Sequence, residues 1–100
     1  MHYLLIYDVG PEFIERRAQF RAEHLALAWQ AVEEGDLLLG GALAEPTDQA
    51  FLLFSGPSSE TARRFAESDP YVRNGLVKRW RVAQWNTVVG HDASNPVRPG

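Results

Sequence analysis

Residues 37–55, LLLGGALAEPTDQAFLLFS, decide the fold. Leu37 to Leu43 is an apolar run with two glycines, Glu45-Pro46-Thr47-Asp48 is turn chemistry, and Ala50 to Ser55 is a second run of β-formers. Two such runs joined by a short polar turn predict a β-hairpin. Upstream, residues 2–9 (HYLLIYDV) read as a strand that stops at Gly10-Pro11. Pro11 suits a first helical position, Glu12 and Glu15 favour a helix N-terminus, and Gly35 suits the residue past a helix end. Those signals predict one helix of about 23 residues ending near Glu34. Downstream, Gly56-Pro57-Ser58-Ser59-Glu60 breaks the chain and offers serine caps for a second helix running to about Ser68. Asp69-Pro70 interrupts it, because the residue before proline is pushed out of the α region. One further turn spans Tyr71–Gly75, and Val77–Val89 (VKRWRVAQWNTVV) reads as a last strand. The hairpin therefore sits between two helices, which sit between two strands. This β-α-β-β-α-β order predicts an α+β, ferredoxin-like domain, a four-stranded antiparallel sheet with two helices on one face.

The chain's 100 residues suit one domain, expected over residues 1–89. Residues 90–100, GHDASNPVRPG, hold little to bury and are expected to form a mobile or partner-docked tail. A net charge of −3 leaves no basic excess to neutralise phosphates, so no nucleic-acid partner is expected. With no cysteine there is no disulfide framework, thiolate nucleophile or Cys-ligated metal. No apolar run approaches a membrane span, and MHYLLIYDVG lacks a basic leader region, so a cytoplasmic protein is the expectation.

Helices can cover only one face of such a sheet. In the first strand Leu4 and Ile6 oppose Tyr3, Leu5 and Tyr7, and in the last Trp80 and Val82 oppose Ala83 and Trp85. Both faces are apolar, which predicts a homodimer packed sheet to sheet.

On a helical wheel over the first helix, Phe13, Ile14, Ala18, Phe20, Leu25, Leu27, Ala28, Ala31 and Val32 form an apolar arc. His24, Arg17 and Arg21 fall inside it, and their spacing makes one continuous ridge. Burying unpaired charge is expensive, so this ridge needs a reason. Either His24 is a satisfied core histidine and the arginines pair with acids at the sheet edge, or the three line a pocket. In the second reading His24 is the titratable group and an arginine holds an anionic ligand. Asp69, at its irregular Asp-Pro break, is the natural carboxylate partner, although a plain turn residue would look the same.

These residues resemble the YCII-related (YciI-like) proteins of the dimeric α+β barrel superfamily. The resemblance rests on Arg17, Arg21 and His24-Leu25, the glycine-rich second strand, and Asp69-Pro70-Tyr71-Val72 followed by Gly75, and it covers residues 1 to about 88. It implies a dimer with a His–Asp pair in each subunit's pocket, falling on His24 and Asp69. Related activities include dehydrochlorination of a chlorinated hydroxyquinol, with isomerase, decarboxylase and monooxygenase chemistry elsewhere in the superfamily.

A carboxylate bonded to one imidazole nitrogen fixes the tautomer and strengthens the other nitrogen as a base. Such a base can take a proton beside a carbonyl or phenol while an arginine stabilises the oxyanion. Elimination or isomerisation of a small oxygenated cyclic or phenolic substrate needs only those parts, so no cofactor is expected. His24 and Asp69 are thus the candidate catalytic pair, with Arg17, Arg21, Tyr7, Gly41 and Tyr71 as candidate substrate-binding residues. Tyr3 could add a hydroxyl. Ser55 and Ser58 read as turn and cap residues, since no strained Gly-x-Ser-x-Gly elbow is present. His2, His24 and His91 share no ligand spacing, so no metal site is expected, and His2 and His91 read as exposed. Trp29, at the edge of the apolar arc, could mark a subunit contact. A rival reading is a non-catalytic small-ligand-binding or accessory dimeric domain, since a fold of this kind does not fix function.

Overall fold

The computed structural model describes residues 1–100. Four strands, β1 (His2–Val9), β2 (Leu37–Ala42), β3 (Gln49–Ser55) and β4 (Val77–Trp85), form one antiparallel sheet in the order β2-β3-β1-β4. Four helices, α1 (Phe13–Arg16), α2 (Arg21–Glu33), α3 (Glu60–Ser68) and α4 (Pro70–Arg73), connect them. This is the ferredoxin-like arrangement, with β2 and β4 left as edges.

Alternation along β1 sorts its side chains. Tyr3, Leu5, Tyr7 and Val9 enter the buried cluster with Ala50, Leu52 and Phe54 of β3 and Phe65 and Ala66 of α3. Register puts the intervening Leu4 and Ile6 opposite Leu53 and Phe51, on the face that no helix covers.

The predicted single first helix is interrupted. Residues Arg17–Gln19 form a 3₁₀ turn, and Phe20 leaves helical geometry at φ −119° and ψ 1° before α2 restarts. The break lets Phe13 pack edge-on against Tyr71 while Phe20, Leu27, Ala28, Ala31 and Val32 follow the sheet. A continuous wheel across this break misplaces residues. Ile14, Ala18 and Leu25, expected in the apolar arc, are exposed.

The last strand also ends earlier than its sequence suggests. At Trp85 it reaches the register of His2, the first residue of β1, so later residues have no strand to pair with. Thr87 instead contacts His2 Nδ1 at 2.6 Å and accepts the Ser94 N–H at 2.8 Å. The Asn95 and Val97 amides bond back to the carbonyls of Thr87 and Val88. His2, expected to be exposed, is therefore only 5% exposed, whereas His91 is exposed.

Candidate active site

Three chain segments meet at one carboxylate. The Asp-Pro break holds Asp69 in extended backbone, φ −69° and ψ 123°, between α3 and α4. There its side chain caps α4, accepting the Tyr71 N–H at Oδ1 over 3.0 Å. The same oxygen meets His24 Nδ1 of α2 at 2.8 Å, and Oδ2 accepts the Tyr7 hydroxyl of β1 at 2.7 Å. Asp69 is 0% exposed, so all its acceptor capacity is directed at protein donors. Its role as a helix cap and its role as the partner of His24 follow from one backbone turn.

This geometry sets the state of His24. A carboxylate engaged by two other donors accepts, so the proton between it and the ring belongs to Nδ1. Nε2 then carries the free lone pair. It makes no hydrogen bond within the protein, and His24 lines a cavity. The Tyr71 ring stacks on His24 with centroids 4.0 Å apart and planes 12° apart, and Phe65 meets the imidazole edge-on. The ring is thus held by stacking against Tyr71 and by the carboxylate at its Nδ1 edge.

Electrostatics follow from burial. Burial first, then the Asp69 charge and their hydrogen bond, push the Tyr7 hydroxyl far above the ordinary tyrosine range, so it remains a donor. Burial also raises Tyr71, while the Arg21 and Arg17 charges oppose that shift. The two guanidinium groups therefore act on the Tyr71 phenol, which makes no hydrogen bond of its own within the protein.

The cavity, about 330 Å³, lies between α2 and the β2–β3 half of the sheet. It exists because the facing positions are small. Register places Gly40 opposite Leu52 and Ala42 opposite Ala50, so no bulky chain on this stretch of β2 reaches toward Ala28 of α2. A Cβ at Gly40 would already touch Leu52 at 3.4 Å.

Every candidate site residue except Asp69 lines this cavity: Tyr7, Arg17, Arg21, His24, Gly41 and Tyr71. Asp69 stands behind His24 and Tyr71. Tyr7 contributes its ring, its hydroxyl being committed to Asp69. The inward-facing arginines need correction: Arg17 is half-buried, with its guanidinium 5.8 Å from the Phe13 ring centroid, and Arg21 is exposed. Neither pairs with an acid, because the ion pairs are His24–Asp69, Arg64–Glu60 and Arg79–Asp8. Gly41 pairs with Phe51, so Gly40 is the glycine on the helix-facing side. Tyr3 donates to the Met1 sulfur and lies outside the cavity, and Ser58 Oγ accepts the Glu60 N–H.

A family model, the YCII-related domain, matches residues 1–86. The chain belongs to the YCII-related family. Among solved structures, its fold matches that of 5-chloro-2-hydroxyhydroquinone dehydrochlorinase from Burkholderia phenoliruptrix AC1100, solved in complex with 2,5-dihydroxybenzoquinone. That match has a TM-score of 0.71 at 22% identity, covering 87% of this chain and 95% of the other. No curated protein matches the sequence. No helix is long and apolar enough to cross a membrane.

Proposed function

We propose that this YCII-related domain is a small-molecule enzyme, lyase-like in its chemistry, that uses His24 and Asp69 for elimination or isomerisation of a small oxygenated cyclic or phenolic substrate. The observation that carries this reading is the 2.8 Å contact between His24 Nδ1 and Asp69, with Nε2 left free in a pocket. Two arginines without acidic partners, Arg17 and Arg21, line the same cavity. The fold match to a dehydrochlorinase agrees with it.

The steps follow from the residues. Nε2 removes a proton from a phenolic hydroxyl or from a carbon beside a carbonyl. The electron pair moves onto the substrate oxygen, where Arg17 and Arg21 stabilise the charge. Its return to the ring takes up the proton at another carbon from the His24 imidazolium, which completes an isomerisation. Where that carbon bears chloride, a second proton removal by Nε2 from another ring hydroxyl then drives chloride out, so that H⁺ and Cl⁻ leave together. Electrons and protons balance within substrate and His24, so neither an oxidant nor a cofactor enters.

The working unit in this reading is a cytoplasmic homodimer. Leu4, Phe51 and Leu53, half-buried in the single chain, share with the buried Ile6 the sheet face that lacks helices, an apolar face suited to a second copy.

The test is exchange of substrate protons with solvent deuterium, followed by NMR, together with halide release from chlorinated hydroxyquinols. Wild-type protein is expected to catalyse one of the two, and His24→Gln to slow it by about 10²- to 10⁴-fold. Tight binding of these compounds without exchange or release would instead make the domain a binding module.

A further inference from the structure

The cavity is larger and differently lined than a single oxygenated ring requires. Its polar groups share one end: Tyr71 stacks on His24 with centroids 4.0 Å apart, and Arg17 and Arg21 lie near enough for their charges to act on the Tyr71 phenol. The rest of its wall is apolar, and much of that wall faces solvent. Trp29 is 61% exposed and Leu25 40% on α2, and Leu38 is 43% exposed on β2. All three line the same cavity as His24.

Helix geometry gives this lining a direction. Arg21, Leu25 and Trp29 are spaced four apart, so they stand in one row on α2. Eight residues at 1.5 Å each put Trp29 about 12 Å beyond Arg21 along the helix axis. The row passes from a free cation to a large aromatic, and the facing wall at Gly40 carries no side chain. The cavity lining therefore continues from Arg21 along Leu25 to Trp29 on α2, with Leu38 and Gly40 of the edge strand β2 also lining it.

We propose that the ligand of this pocket is an anionic or acidic ring carrying an apolar arm, with the ring between Arg17, Arg21 and His24 and the arm along Leu25, Trp29 and Leu38. Leu25 and Trp29 are then specificity-determining residues, and their exposure is relieved when the arm covers them. This inference rests on the reading of the pocket as a substrate site and narrows the substrate class within it.

The test is calorimetric titration with 2,5-dihydroxybenzoquinone and with its 3-alkyl homologues from methyl to heptyl. Affinity is expected to rise with each methylene, by up to about four-fold where the group is fully buried, and to level off once the arm passes Trp29. Trp29→Ala and, separately, Leu25→Asn should flatten that rise. Both positions are exposed, so the fold should tolerate the changes. Three results would overturn the proposal: binding of the parent ring with a flat homologue series, an equal weakening of parent and homologues by Trp29→Ala, or dissociation of an oligomer by Trp29→Ala in light scattering, which would make Trp29 a subunit contact. Binding by neither ring nor homologues would overturn both this inference and the substrate-site reading, whereas ring binding with a flat series overturns this inference alone.

Discussion

The Tyr7 hydroxyl donates to Asp69 Oδ2 at 2.7 Å, and both residues are buried. β1 thereby fixes the second oxygen of the carboxylate whose first oxygen holds His24 and caps α4. Removing that donor leaves a buried carboxylate oxygen unsatisfied while the aromatic packing survives. Tyr7→Phe is therefore expected to cost about 1–3 kcal/mol of stability, measured by denaturant unfolding. Retention of wild-type stability would show that the hydroxyl contributes nothing net.

The same bond predicts an alkaline signature. Burial, the Asp69 charge and the hydrogen bond raise Tyr7 in the folded chain above the unfolded value of about 10. The folded state keeps a proton that the unfolded state releases, so this stabilisation is present below about pH 10 and is lost as pH rises beyond it. Burial of Tyr71 acts with the same sign. Unfolding midpoints of the wild type should fall between about pH 9 and about pH 11, and Tyr7→Phe should fall less steeply over that range. Parallel profiles would mean that Tyr7 ionises equally in both states.

Asp69→Asn separates the two roles of one side chain. An asparagine still caps a helix well, so α4 and the fold should persist. Its amide has only one acceptor oxygen for the donors that two carboxylate oxygens now serve, and it carries no charge. The Nδ1–H tautomer of His24 should lose its preference, read from the imidazole ¹⁵N shifts. Proton exchange on substrate should drop by about 10²- to 10⁴-fold while the circular dichroism spectrum stays native. An unchanged tautomer with unchanged exchange would place the chemistry elsewhere.

How far the sequence discloses this site depends on which interactions are local. Element order follows from Gly10-Pro11, Gly35, Glu45-Pro46 and Asp69-Pro70, because proline and glycine act through their own backbones and need no tertiary context. The His24–Asp69 pairing is legible as a candidate from the irregular Asp-Pro break and from the motif resemblance, but 45 residues separate the partners and no local signal fixes their contact. The Tyr7 bond carried a weaker signal. Alternation places Tyr7 on the helix-facing side with Tyr3 and Leu5, yet nothing in the sequence distinguishes a tyrosine that reaches a carboxylate from one that packs. The interruption at Phe20 was hidden, because every residue from Glu12 to Glu34 tolerates a helix and the break serves a distant contact between Phe13 and Tyr71. His2 was misread for a similar reason. Its burial comes from Thr87, at the other end of the chain.

The two free arginines make a different kind of prediction. Neither has an acidic partner, so Arg21→Gln should leave stability within about 0.5 kcal/mol of wild type. On the proposed substrate-site reading, binding of 2,5-dihydroxybenzoquinone should nevertheless weaken, and its salt dependence should become shallower as one cation is lost. Loss of affinity with an unchanged salt slope would argue that Arg21 acts by shape and not by charge.

The segment after β4 folds back on Thr87 and Val88, and Thr87 ties it to β1, which makes it testable without any ligand. Thr87 Oγ1 lies 2.6 Å from His2 Nδ1 and accepts the Ser94 N–H, and the Asn95 and Val97 amides bond to the carbonyls of Thr87 and Val88. Valine has the shape of threonine without the hydroxyl, so Thr87→Val removes its bonds to His2, to the Ser94 N–H and to Ser94 Oγ, and leaves His2 buried without its partner. Amide hydrogen exchange at Ser94, Asn95 and Val97 should accelerate together, while Leu5 and Ile6 in the middle of the sheet keep their protection. Faster exchange at Ser94 alone would mean that the backbone bonds hold the segment without the threonine. Loss of protection throughout β1 would mean that the His2–Thr87 contact supports the whole sheet.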